Sequence, residues 1–342
     1  MTYASLSLDF DNKWAYLRAA GRSDWDSSES YLPLVAERIL DLLGELELPL
    51  TTFVVGRDLR ADDDLRAVAS FRGLRQCEFS NHSTNHLPWM HTLTESEIRD
   101  EIKTTHDRMI QLLDQKPVGF RGPGFSCPVE VLRVLCDLDY LYDASIFPTS
   151  IAPIARAAFL ARTKLKGKEK EQAKKLYGGF ASLLQPNRPF LRSVDAARLW
   201  EVPVTVMPLS RLPIHLSYLT FLASFSGLMA KAYFRAALRL CHVTRTAPSL
   251  LLHPPDFLGR EDDREMAYFP GMKMKRRDKL RFVRWALGYY SKSFPVVTMI
   301  DQLKKLDPTI SVDGLEMSRP GLRNVSRRRR PQDSSNPVSQ GV

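Results

Sequence analysis

The stretch Gln76-Cys77-Glu78-Phe79-Ser80-Asn81-His82-Ser83-Thr84-Asn85-His86-Leu87-Pro88 decides how the chain is read. Its first half reads as a short strand, and its second half places two histidines four apart. Pro88 follows at once, which argues against one helix running through both histidines. The pair therefore falls on a loop at a strand end, where α/β enzymes keep their chemistry. Neutral imidazole is a common ligand for zinc and related ions. Taken alone, a His-x-x-x-His pair is more often two surface or capping histidines, so the surrounding sequence has to decide.

Working outward, strand and helix patterns alternate from end to end. Strands are expected at Tyr3 to Phe10, Leu50 to Val55, Gln76 to Asn81, Val118 to Arg121, Tyr140 to Asp143, Trp200 to Met207, Ser249 to His253 and Pro295 to Met299. Between them lie helical patterns, among them Tyr31 to Leu48 with Leu34, Val35, Ile39, Leu42, Leu43 and Leu46 on one face. Thr94 opens a helix to about Leu113 with a capping box closed by Glu97. Helices follow at Pro128 to Leu138, Tyr218 to Leu240 and Arg276 to Tyr290. Such alternation argues for parallel strands in an α/β barrel or open sheet.

The net charge of +10 is concentrated locally. Ile151 to Arg192 carries ten Lys or Arg against two Glu, and the stretch from Ser311 onward carries six Arg against three acids. The expected organisation is therefore a catalytic domain over residues 1–307, a basic insertion at 151–195, and a disordered basic tail at 308–342. The four cysteines have no paired metal spacing and suit a reduced setting. The first residues show no basic or apolar leader pattern, so a cytoplasmic protein is expected.

Polar residues recur at the ends of the expected strands: Asp9 and Asp11, His82 and His86, Arg121, Asp143, and His253. Asp9 and Asp11 are two apart and face the same way in a regular strand, so one can bind a metal while the other acts on water. They also suit a solvated strand end. Arg121 runs into the Gly122-Pro123-Gly124 turn and can pair with a carboxylate. His253 closes an apolar run and is a candidate general acid.

These motifs, in this order, resemble the NodB-homology polysaccharide deacetylases, a family of metal-dependent carbohydrate esterases. The spacing Asp-x-Asp is similar to the branch with allantoinase-like members. The resemblance implies a distorted (β/α)7 barrel. It makes Asp9 the base and Asp11, His82 and His86 the ligands of one divalent ion, in the first place Zn2+, with Co2+, Ni2+ or Mn2+ also accepted by such a donor set. Arg121 and Pro123 match the third motif, where the family's later glycine is Phe125. Gly124 takes the oxyanion position through its backbone N–H. Tyr142-Asp143-Ala144-Ser145 is similar to the fourth motif without its tryptophan, and makes Asp143 a catalytic candidate. Leu251-Leu252-His253 matches the fifth, with His253 as the acid. The implied activity is hydrolysis of an N-acyl group, acetyl or formyl, on an amino sugar or glycoconjugate.

Ile214 to Ala230 is an uncharged run of 17 residues, short and polar for a membrane span and better suited to a buried helix. Beside the basic insertion it leaves open a peripheral contact with an anionic leaflet and a lipid-linked sugar as substrate. Arg327 to Arg330 raises a nucleic-acid-binding alternative, but the basic residues lack interleaved aromatics, and no nucleic-acid partner is expected. A deacetylase retired to a binding role is the other alternative. The complete Asp/His/His set argues against it.

Overall fold

The computed structural model describes residues 2–152 and 183–310. Among these residues nine strands form one sheet: β1 (Ala4–Phe10), β2 (Leu50–Val54), β3 (Cys77–Asn81), β4 (Gly119–Phe120), β5 (Tyr142–Asp143), β6 (Phe190–Val194), β7 (Ala197–Glu201), β8 (Ser249–Leu252) and β9 (Val296–Val297). Their order is β6-β7-β5-β4-β3-β2-β1-β8, with β9 beside the start of β1. All pairings among them are parallel except the β6–β7 hairpin.

The sheet is not closed by a regular ladder. Beyond β7 the chain hydrogen-bonds on both sides: Val204 N–H donates to the Ile146 carbonyl at 2.8 Å, and Thr205 N–H to the Ser249 carbonyl at 3.1 Å. Ser249 N–H returns a bond to Thr205 Oγ1 at 2.7 Å. This seam joins the β5 and β7 side to β8, and seven parallel strands thereby surround the interior of a distorted (β/α)7 barrel, as expected.

The helices are α1 (Lys13–Ala19), α2 (Leu32–Glu45), α3 (Asp62–Ser70), α4 (Glu95–Leu113), α5 (Val129–Asp137), α6 (Leu216–Phe225), α7 (Gly227–Val243), α8 (Arg276–Ser293) and α9 (Met299–Leu306). The expected capping box opens α4, with Thr94 and Glu97 serving each other's backbone N–H. Leu34 departs from the expected buried face of α2 and is 41% exposed, while Val35, Ile39 and Leu43 are buried. The expected helix from Tyr218 to Leu240 is two helices. Ser226 is extended (φ −155°, ψ 111°) and its hydroxyl accepts the Met229 N–H. Ser-Gly at 226–227 is a weak helical pair, and serine gains more as a cap. The strand expected to reach Met207 keeps its ladder only to Glu201. Two short helices, α1 and α9, were not expected, and neither is long enough to display a helical period clearly. The end of the expected insertion forms β6, whereas residues 153–182 and the tail from 311 lie outside the described residues.

The strand period places the site. In β1, Ala4, Leu6, Leu8 and Phe10 join the main apolar core. Ser5, Ser7 and Asp9 take the other face, also buried, and the parity continues to Asp11. In β3, Cys77 and Phe79 join the core, which leaves Glu78, Ser80 and then His82 for the interior. Glu78 accepts from Tyr142 Oη at 2.6 Å and from Thr51 Oγ1 at 2.9 Å. These bonds satisfy a carboxyl that burial pushes above its ordinary range.

Candidate active site

Both carboxylates and both histidines converge where β1 and β3 end. Asp11 Oδ1 lies 3.3 Å from His82 Nε2 and 3.2 Å from His86 Nε2. All three residues are buried, and their ligand atoms lie within 4.8 Å of one another. His82 Nδ1 is 2.6 Å from the Arg121 carbonyl, which can only accept. The proton therefore sits on Nδ1, and in the neutral ring Nε2 aims a lone pair at Asp11. Asp11 Oδ1 itself has no hydrogen-bond donor. A buried anionic oxygen facing imidazole nitrogens is a position for a cation, so the donor set fits a divalent metal. The electrostatics of the site favour positive charge beside Asp11. Burial opposes ionisation of Asp11, but His86 and His82 hold it well below the ordinary carboxylate range. Burial likewise opposes a charged His82, and Asp9 and Asp11 raise it nonetheless.

The loop carrying the histidines is held in an unusual conformation, with left-handed backbone at Ser83 (φ 61°) and His86 (φ 49°). Buried Glu101 of α4 fastens it by accepting the N–H groups of Thr84 and Asn85 at 3.1 and 2.8 Å. From the opposite side Arg18 of α1 donates Nη2 to the carbonyls of Asn85 and His86, the latter at 2.7 Å. The Arg18 guanidinium lies over Trp14 at 5.1 Å and Trp25 at 5.3 Å. Burial, assisted by neighbouring Arg57, lowers it to about 10, so it stays cationic at neutral pH.

Asp9 lies beside this group, and its partners fix its geometry. Fully buried Arg121 donates Nη1 to Asp9 Oδ1 at 2.5 Å and Nε to the Ala144 carbonyl at 2.9 Å. Its guanidinium stacks 4.1 Å over Phe53. On the other side His253 Nε2 is 3.8 Å from Asp9 Oδ2. Ser217 of α6 gives its one hydroxyl hydrogen to Asp256 Oδ2 at 3.1 Å, so its oxygen accepts from His253 Nδ1, also 3.1 Å away. His253 thus keeps Nδ1–H toward Ser217 and turns Nε2 toward Asp9.

Gly124 lies in the short turn Pro123–Phe125 with φ 59° and ψ 21°, a left-handed conformation that glycine adopts without strain. Asp143 is not brought to this group. Its carboxylate accepts from Ser145 Oγ at 2.5 Å and Cys127 Sγ at 3.1 Å, with Arg192 Nη1 at 3.8 Å. Ser145 Oγ in turn accepts the Gly122 N–H at 2.7 Å, so Asp143 reaches the site through the turn that holds Gly124.

Arg18, Glu101, Ser217 and Asp256 are absent from the sequence-based expectations. So is Asn12, whose Nδ2 donates to the buried carboxylates of Asp58 and Asp64 at 3.2 and 3.1 Å. Asp256 alone left a readable trace, in the Pro-Pro-Asp that follows His253.

A family model described as polysaccharide deacetylase matches residues 5–142, which hold Asp9, Asp11, both histidines and Arg121. Residues 5–142 are thus similar to the polysaccharide deacetylases. Two solved structures share the fold over nearly the whole chain. A provisionally assigned polysaccharide deacetylase from Mycobacterium smegmatis is 17% identical, with a TM-score of 0.55 over 89% of this chain and 90% of that one. The Puue allantoinase is 14% identical, with a TM-score of 0.54 over 90% of each chain. A comparison with curated proteins finds no match. The family is one of hydrolases acting on amide bonds, and the protein is placed in that class.

Proposed function

We propose that the protein removes an N-acyl group, acetyl or formyl, from an amino sugar or glycoconjugate, with a divalent ion held by Asp11, His82 and His86. The observation that carries this is the buried Asp11 oxygen facing both imidazoles, beside an Asp9 flanked by Arg121 and His253. Bound there, a divalent ion supplies Lewis-acid chemistry, polarising a carbonyl and acidifying water. Zinc suits the two imidazoles and one carboxylate best, with cobalt, nickel and manganese as substitutes.

The remaining steps belong to the chain. Asp9 takes a proton from the attacking water, and Arg121 keeps the carboxylate aimed at it. The water oxygen bonds to the acyl carbon, and the Gly124 N–H donates to the oxygen that becomes negative, with Pro123 fixing the turn. Protonated His253 delivers its Nε2 proton to the amine nitrogen as the C–N bond breaks. Asp143 supports the turn through Ser145 rather than touching the acyl group. The products are a carboxylic acid and a free amine.

The test is metal content of the purified wild type beside His82→Ala/His86→Ala, followed by an N-acyl substrate screen for released acetate or formate. About one ion per wild-type chain, lost in the double variant, is expected. A wild type that takes up no metal on addition of zinc sinks the assignment.

A second reading is favoured by the exposed apolar side chains Phe225, Leu228 and Met229: a lipid-linked sugar deacylated at the inner membrane face. Among the described residues no helix is long and apolar enough to cross a membrane.

A further inference from the structure

α6 begins in the site and ends away from it. Ser217 in its first turn holds His253, and ten residues of helix, about 15 Å, carry the chain out to Phe225. Ser226 breaks the helix, and α7 folds back along α6. The Tyr218 and Tyr233 rings meet at 5.9 Å, and Tyr233 Oη donates to the Pro213 carbonyl at 2.7 Å.

The tip of this hairpin is apolar and bare: Phe225, Leu228 and Met229 are 73%, 77% and 63% exposed. Single exposed apolar side chains are ordinary, whereas three adjoining ones on a protruding turn mark a contact surface. The charge flanking them in sequence has one sign. Between Glu201 and Asp256 the chain has five Lys or Arg and no acid. Lys231 and Arg235 follow the tip along α7. Gly271 packs against Thr220 of α6, and just beyond it Lys273, Lys275 and Arg277 are exposed.

We propose that the α6–α7 tip docks on an anionic phospholipid bilayer. The apolar trio enters the boundary between headgroups and acyl chains, and the basic residues meet anionic headgroups. Apolar insertion and basic attraction together give the binding that neither gives well alone. A protein partner would favour a patch depleted of lysine. Because the base of the hairpin carries Ser217, docking holds the site one helix length, ~15 Å, from the leaflet, within reach of a sugar on a lipid carrier. That last step rests on the deacylase assignment; the docking itself does not.

The test is co-sedimentation of the full chain with phosphatidylcholine vesicles, with and without phosphatidylglycerol, at low and high salt. Binding to the anionic vesicles that weakens with salt is expected. Phe225→Ser/Leu228→Ser/Met229→Ser should lower it on the order of tenfold or more. Its melting temperature and metal content should stay at wild-type values, since these side chains face solvent. If the triple variant aggregates, the single Leu228→Asp variant carries the test with a loss of several-fold. A wild type that ignores anionic vesicles, or variants that bind as the wild type does, overturns the proposal. Metal content separates the two ideas: a protein that takes up no metal but binds vesicles through the tip ends the deacylase assignment and leaves the docking surface standing.

Discussion

Replacing Arg18 with Met should weaken metal binding without touching a ligand. Arg18 Nη2 serves two carbonyls of the histidine loop, those of Asn85 and His86. Met keeps the apolar stem against Trp14 and Trp25 and deletes both bonds. A hydrogen bond from a charged donor contributes about 1.5–3 kcal/mol. The left-handed backbone of His86, φ 49°, costs about 1–3 kcal/mol that its surroundings have to offset. Glu101 still holds Thr84 and Asn85, so the loop stays folded, but His86 is free to leave the conformation that faces Asp11. A net loss of about 1.4–2.8 kcal/mol corresponds to ten- to hundredfold weaker metal affinity, the range found for residues that orient ligands. Competition for zinc against a chelating dye measures it. Arg18→Lys, which keeps a cationic donor, should recover part of the affinity. An Arg18→Met protein with unchanged metal affinity refutes the reasoning, because the carbonyl contacts would then do nothing for His86.

Other outcomes follow from the same geometry. Asp9→Asn should retain metal and lose activity by on the order of 10²–10⁴, read from acetate or formate release once a substrate is in hand. Arg121→Met strands a buried Asp9 carboxylate and should cost roughly 3–5 kcal/mol in chemical denaturation. Burial pushes Asp58 up to about 7. A raised folded value means that its contribution is complete below the ordinary carboxylate range and is lost as pH rises through 7. Asp58→Asn should therefore flatten that slope and exceed the wild type in stability above pH 7, by up to roughly 4 kcal/mol. Thermal melts of the two proteins from pH 4 to pH 8 (about the span of the shift) check the sign.

The parts of the fold legible in sequence are those written in a strong period. β1 and β3 alternate apolar and polar residues, so the alternation alone assigns Asp9, Asp11 and His82 to one face. Pro88 spoke against a helix through both histidines, and the capping box at Thr94 announced α4. What stayed hidden depends on contacts distant in sequence. Arg18 sits on a seven-residue helix and acts on carbonyls 67 and 68 residues away. Ser217 finds His253 across 36 residues. Asp143 read as a site residue because it ends a strand, yet its partners Ser145 and Cys127 turn it beneath the Gly124 loop. The hairpin break at Ser226 was obscured by the unbroken apolar run around it, since periodicity does not register a single extended residue.

Arg211 ties two distant stretches of the chain to one point on the barrel. Its carbonyl accepts the Ser150 N–H at 2.9 Å and Thr149 Oγ1 at 3.1 Å, while its Nη1 donates to the Gln185 carbonyl at 2.7 Å. The chain thus departs and re-enters at one address, whatever is threaded between. Loop closure grows only as the logarithm of length, so once the two ends are fastened the intervening text is nearly free to lengthen, shorten or be exchanged. Such a position offers an engineer a graft site with its anchor already built.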